Sequence, residues 1–217
     1  MAVAENPGRE HVLARIRSAL KKASPHHHDR ASGGPVFVPI SDTLERFKSE
    51  CAANSTELIL APDAPGAVTS LRTALTSVAG EIYVQDAPLL RRMLDTLQAE
   101  RAVRWSNDGA PSESSQATIT AAECLVAATG SILIASSAAG RGASVVAPVH
   151  IVVASEAQLV PDLAAALSRA IASKLPDQNS ALFLITGSSR TADIEKILVL
   201  GAHGPRRVVL ILARNLG

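Results

Sequence analysis

The run Leu182-Phe-Leu-Ile-Thr-Gly-Ser-Ser-Arg-Thr-Ala-Asp-Ile-Glu195 continues through Gly201-Ala-His-Gly-Pro205 into Val208-Val-Leu-Ile-Leu212. It reads as an apolar strand, a polar turn opening a short helix, a second polar turn and a second apolar strand. Strand, helix, strand over 181–213 is the βαβ pattern of a parallel sheet, with a right-handed crossover expected. The turn is rich in groups that hold anions. Gly187 permits close approach, Ser188, Ser189 and Thr191 add hydroxyls, and Arg190 adds a planar cationic fork. A helix N-terminus behind them would add its unpaired N–H groups and dipole. The alternative is a well-capped helix with an outward Arg190, its dipole satisfied by Asp193 and Glu195; the residues alone leave the two level. The turn lacks the Gly-Lys-Ser/Thr ending of a Walker loop.

The rest of the chain supports an α/β fold. Residues 41–54 read as a helix with Asp42 and Glu45 near its start, 57–61 as a strand, and 65–78 as a helix. Strand 81–84, helix 88–100 and strand 102–105 continue the rhythm with short connections. Residues 107–115, with Gly109 and Pro111, form a polar divide. Beyond it, 118–128 is Ala-rich and fits helix or strand, 132–135 reads as a strand, 145–154 as a strand interrupted by Pro148, and 158–174 as a helix.

Composition narrows the function. The chain has 217 residues, 47% of them hydrophobic but only 2% aromatic. The core must therefore be built from Ala, Val, Leu and Ile, as in a parallel sheet covered by helices. A formal net charge of +1 gives no electrostatic drive towards nucleic acid, and the scarcity of aromatics removes stacking platforms. No stretch is apolar over the length of a membrane span, and the first 22 residues lack a signal-peptide core, so a cytoplasmic protein is expected. Cys51 and Cys124 lie far apart and can form neither a zinc site nor an iron–sulfur cluster within this chain. No cofactor motif is present and no cofactor is expected.

Val12, Leu13, Ile16, Ala19 and Leu20 recur at helical spacing over 9–22, followed by a Pro-, Gly- and His-containing stretch at 23–39. Residues 1–39 read as a helical arm and linker, and 40–217 as the main domain. His26, His27 and His28 are adjacent and cannot all point one way on regular structure, which argues against a specific metal site. His150 at the start of an apolar strand and His203 between two glycines are candidate proton-handling or ligand-binding residues. Each also has a structural reading: a satisfied buried histidine, and a loop cation at a helix C-terminus. Arg141, in a loop of small residues, can reach into a neighbouring turn. Ser131, Ser136 and Ser137 lack the G-x-S-x-G context of a nucleophile.

Three ordered elements carry a resemblance. They are Ala128-Thr129-Gly130-Ser131 before an apolar strand; Arg141 followed by Pro148-Val-His-Ile151; and the 186–195 run with Gly201-Ala-His-Gly-Pro205. In this order they resemble the LUD-domain family, and within it the lactate utilization protein C branch. The resemblance implies an open, largely parallel sheet flanked by helices, similar to the NagB/RpiA/CoA-transferase superfamily, with the N-terminal helical arm appended. It further implies a role in oxidising L-lactate to pyruvate beside iron–sulfur partner proteins, and a small anionic ligand or docking cleft formed by Gly187, Ser188, Ser189, Arg190, Thr191, Arg141, His150, His203, Thr129 and Gly130. An isomerase- or transferase-like enzyme acting on a phosphorylated or CoA-linked acid, and a carboxylate-sensing module, are the alternatives. The family pattern often carries Glu directly before Thr-Gly; here that position is Ala128, so the carboxylate nucleophile of a CoA-transferase mechanism is missing there.

Overall fold

The computed structural model describes residues 7–21, 39–95, 101–111, 114–136, 140, 142–192, 198–200 and 204–216. The chain divides into two compact units, 1–38 and 39–217. In the first, helix α1 (Pro7–Leu20) places Glu10 in its first turn and Arg17 in its last, complementing the helix dipole. Its apolar stripe, Val12, Ile16 and Leu20, is exposed.

In the second unit, α2 (Thr43–Ala53) begins where Asp42 accepts hydrogen bonds from the N–H groups of Leu44 and Glu45, both at 3.0 Å. Strand β1 (Thr56–Ala61) and helix α3 (Ala64–Leu75) follow, the latter capped by Asp63 with Pro65 in its first turn. Next come β2 (Glu81–Val84), α4 (Pro88–Leu94) and β3 (Val103–Trp105). The expected 88–100 helix is observed to Leu94, and 96–100 lie outside the described residues.

The ambiguous 118–128 stretch is strand. β4 (Ser115–Ala121) and β5 (Cys124–Val126) fall there, followed by β6 (Ser131–Ala135) and β7 (Val149–Ser155). The helix expected over 158–174 is shorter. Leu159–Val160 is a strand, β8, and helix α5 (Leu163–Ala172) starts only after Asp162, which accepts from the Ala165 N–H at 2.8 Å. A short α6 (Leu175–Gln178) leads to β9 (Leu182–Ile185). β10 (Arg190–Ala192), β11 (Leu198–Leu200) and β12 (Arg207–Ala213) complete the order.

The main sheet is open and parallel throughout, in the order β1-β12-β7-β4-β2-β3. The interior strands β7 and β12 are buried on both faces, and apart from His150 their buried residues are apolar. One face carries Ile82, Ile119, Ile151, Val153, Val209 and Ile211 against Leu71 and Leu75 of α3 and Leu90 and Leu94 of α4. The other presents Val152, Val208, Leu210 and Leu212 to Phe47 and Cys51 of α2 and to Leu125, Ile132 and Ile134 of a second sheet. That second sheet has the order β8-β5-β6-β9, with β6 antiparallel to both β5 and β9. Its far face packs on Ala166 and Ala170 of α5.

The 181–213 region departs from the expected βαβ unit. β9 belongs to the second sheet and β12 to the main one, so the two strands are not neighbours joined by a crossover. Where a helix was expected to open, Arg190–Ala192 is extended and pairs antiparallel with Leu198–Leu200. Thr191 and Val199, β-branched and directly paired, suit that ladder better than a helix. Residues 193–197 and 201–203 lie outside the described residues.

Candidate functional site

Two glycine turns of the second sheet press on the C-terminal end of α2. Gly187, after β9, has φ +81°, and a Cβ there would lie 2.0 Å from the Asn54 carbonyl oxygen. Gly130, before β6, has φ +63°, and its Cβ would come within 2.8 Å of Glu50. Both positions need a conformation that side chains resist and a space that they would fill. The turns are then tied together. Asn54 Nδ2 donates to the Thr129 carbonyl at 3.0 Å, and the Arg190 guanidinium donates to the Ser55 hydroxyl. Ser131 Oγ stands 2.7 Å from both Thr129 Oγ1 and Thr186 Oγ1, a three-hydroxyl chain across the two turns.

The same end of the main sheet closes the arrangement. The Ser189 N–H donates to the Pro205 carbonyl at 2.8 Å, and the Arg206 N–H to the Pro148 carbonyl at 2.8 Å, two residues before His150. His150 is fully buried at the start of β7, with Nε2 2.9 Å from Thr120 Oγ1 and Nδ1 without a partner among the described residues. Burial disfavours the imidazolium and lowers its pKa to about 4, so the ring is neutral near pH 7.

Gly187, Ser188, Ser189, Arg190, Thr129 and Gly130 therefore meet around the end of α2, and His150 adjoins them through the 148 and 204–207 backbone. Thr191 lies in β10, paired with Val199. Arg141 and His203 lie outside the described residues, as do His26, His27 and His28. The helix expected to open directly behind the turn is replaced there by the strand Arg190–Ala192, and 193–197 lie outside the described residues.

Sequence reasoning missed the contribution of α2. Arg46, Glu50 and Asn54 recur every four residues and so share one face, beside the buried Phe47 and Cys51. Arg46 pairs with Glu50 at 2.7 Å and reaches the Ala128 carbonyl at 3.5 Å. The polar stripe was legible in the helix; its docking on turns more than seventy residues away was not. Ala128, before the Thr129-Gly130 turn, is buried, and its N–H donates to the Pro161 carbonyl at 2.9 Å. The site offers hydroxyls, backbone groups, a neutral imidazole and the guanidinium groups of Arg46 and Arg190, which suits hydrogen-bonded recognition. Among the described residues no group of three His, Cys, Asp or Glu is placed to hold a metal ion.

The hydroxyl chain is open to a direct test. Ser131→Ala removes the shared partner of Thr129 and Thr186 and is expected to cost about 1 kcal/mol, read as a lower urea midpoint with unchanged slope. An unchanged midpoint would show that the two turns are not coupled through this hydroxyl.

The model of the LUD domain matches residues 44–213. The chain belongs to the LUD-domain family. The match runs from the second residue of α2 to the last of β12, so the whole described site lies inside the LUD domain and α1 outside it. Lactate utilization protein C of Bacillus velezensis is 28% identical to this LUD-domain protein over 98% of this chain and 93% of its own length. The Bacillus subtilis protein of the same name is 27% identical over 95% of this chain and 96% of its own length. In structure, the LUD-domain protein is similar to a DUF162 family protein from Deinococcus radiodurans. The TM-score is 0.63 at 21% identity, covering 81% of this chain and 99% of that one. That likeness shows the α/β fold.

Proposed function

We propose that this LUD-domain protein takes part in L-lactate utilization as an accessory subunit without clusters of its own, and that the site at the end of α2 binds a small carboxylate or a partner segment. Similarity over nearly the full length to two proteins named lactate utilization protein C carries the reading. The chemistry of the chain supports the accessory role. Its two cysteines, Cys51 in α2 and Cys124 in β5, are both buried, and burial raises both thiols, that of Cys51 to about 12. Neither is a reactive thiolate near pH 7, and two cysteines fall short of the four that an iron–sulfur cluster takes. Iron–sulfur clusters would then be carried by other chains, and iron–sulfur proteins are the proposed partners.

The transferase reading needs a free carboxylate at the Thr129-Gly130 turn. Ala128 supplies none, and Glu50, which adjoins that turn, is held by Arg46.

An affinity pull-down from lactate-grown cells tests the proposal together with a gene deletion. The expected result is co-purification of cysteine-rich iron–sulfur proteins, and loss of growth on L-lactate that the wild-type gene restores. Normal growth with an unchanged rate of lactate oxidation in the deletion strain would sink the idea.

A further inference from the structure

The start of the main sheet carries polar groups that neither the turns nor the hydrophobic core uses. Thr118 of β4 and His150 of β7 are register partners in adjacent parallel strands, so their side chains lie on the same face. Thr120 is on that face too, two residues further along β4. Thr118 Oγ1 and His150 Nδ1 are both fully buried, and neither has a hydrogen-bond partner among the described residues. Buried hydroxyl and imidazole groups are almost always satisfied, and valine would fill the place of Thr118 without the cost of a stranded hydroxyl. Two such groups side by side, next to the Pro148 and Pro205 carbonyls that anchor the site, point to a ligand that completes them.

We propose that His150 and Thr118 form a buried receptor for the C2 oxygen of a short 2-hydroxy or 2-oxo carboxylic acid. This deepens the lactate reading and rests on it. The two groups are neutral, so a carboxylate pushed between them would lose its hydration without a counter-charge, whereas a hydroxyl or carbonyl oxygen needs only hydrogen bonds. The carboxylate is left to a cation: Arg190 and Arg206 are exposed, and the Arg206 N–H bonds to the Pro148 carbonyl two residues before His150.

His150 suits both oxidation states of such a ligand. When Nε2–H donates to Thr120 Oγ1, Nδ1 is an acceptor and takes a C2 hydroxyl. When the Thr120 hydroxyl donates to Nε2, Nδ1 carries the proton and donates to a C2 carbonyl. The lowered pKa of the ring keeps it in this neutral, two-tautomer range.

The test is ¹⁵N NMR of the full chain labelled in histidine, titrated with L-lactate, pyruvate and, as a control lacking a C2 oxygen, acetate. His150 is assigned by the loss of its signals in His150→Gln. L-Lactate is expected to move Nδ1 towards the unprotonated shift and pyruvate towards the protonated one, with acetate leaving it in place. Thr118→Val, which keeps side-chain shape, is expected to weaken both acids about tenfold, the loss of one buried hydrogen bond, while its circular dichroism stays wild-type. Binding of both acids with unmoved His150 signals, as an internal water at Nδ1 would give, overturns the receptor, as does unaltered affinity in Thr118→Val. No binding of either acid to the wild type overturns it as well. In each of these cases, growth and co-purification decide the lactate-utilization reading separately.

Discussion

Replacing Gly187 by alanine is expected to lower the thermal midpoint by about 10 °C. Two costs add at this position. A residue with a Cβ held at φ +81° is strained by roughly 1–2 kcal/mol, and the new carbon would stand 2.0 Å from a backbone oxygen, that of Asn54, which has no rotamer by which to retreat. The turn must lift from α2, breaking the approach that lets Arg190 reach Ser55. A total near ~3 kcal/mol corresponds to about 10 °C for a domain of this size. Gly140→Ala separates the two costs. That residue has φ +74°, close to that of Gly187, but nothing among the described residues within 4 Å of the added carbon, so the backbone strain applies without the clash. Equal midpoints for the two variants would show that the turn is not seated on Asn54.

Acid is the second large lever. The folded-state pKa of His150 is about 4 against 6.5 for a free histidine, so between these values the unfolded chain binds a proton that the folded one refuses. Stability is therefore full above pH 6.5 and falls as pH drops towards 4, by about 3 kcal/mol for this one group. Glu123 works in the opposite sense: burial raises its pKa, so protonation at low pH favours the folded state. That contribution is common to the wild type and His150→Gln and cancels in their difference. Urea titrations at pH 7 and pH 5 are expected to show a stability loss in the wild type that is largely absent in His150→Gln. Parallel losses in the two proteins would mean that His150 is open to protonation in the folded state.

The legibility of the chain follows from where its information lies. Over 41–105 each element is announced locally. Asp42 caps α2, Pro65 and Pro88 open α3 and α4, and the strands between are short apolar runs, so the alternation emerges within a few residues of its true limits. Over 181–213 the runs at 182–185 and 207–213 are equally visible, but their sheets are chosen by partners far away in the chain. β9 pairs with β6, and β12 inserts between β1 and β7. Periodicity carries no record of that choice. Pro161-Asp162 is a local helix start inside a stretch that otherwise reads as continuous helix, and Leu159–Val160 is extended because β5 pairs with it.

The site shows the same division. The Gly187 turn was evident from its run of Thr-Gly-Ser-Ser, and its φ of +81° against the Asn54 carbonyl gives the glycine a physical reason. The surface on which it rests, Glu50 to Ser55, could not be read from either segment alone. Similarly, the pattern located His150 in a strand but not Thr118 beside it, unpartnered among the described residues, which only strand register reveals.

The pairing of β1 with β12 joins Thr56 to Val208 and Ala61 to Ala213. During translation, at roughly 5–20 residues per second, the first strand of the sheet therefore waits many seconds before its neighbour leaves the ribosome. In that interval both β1 and the flank of β7 that β12 will occupy are unpaired edges able to recruit other chains. Such long-range closure makes folding slow and late. Yield in the cell is accordingly expected to depend on chaperone supply and growth temperature more than the finished domain's stability would suggest.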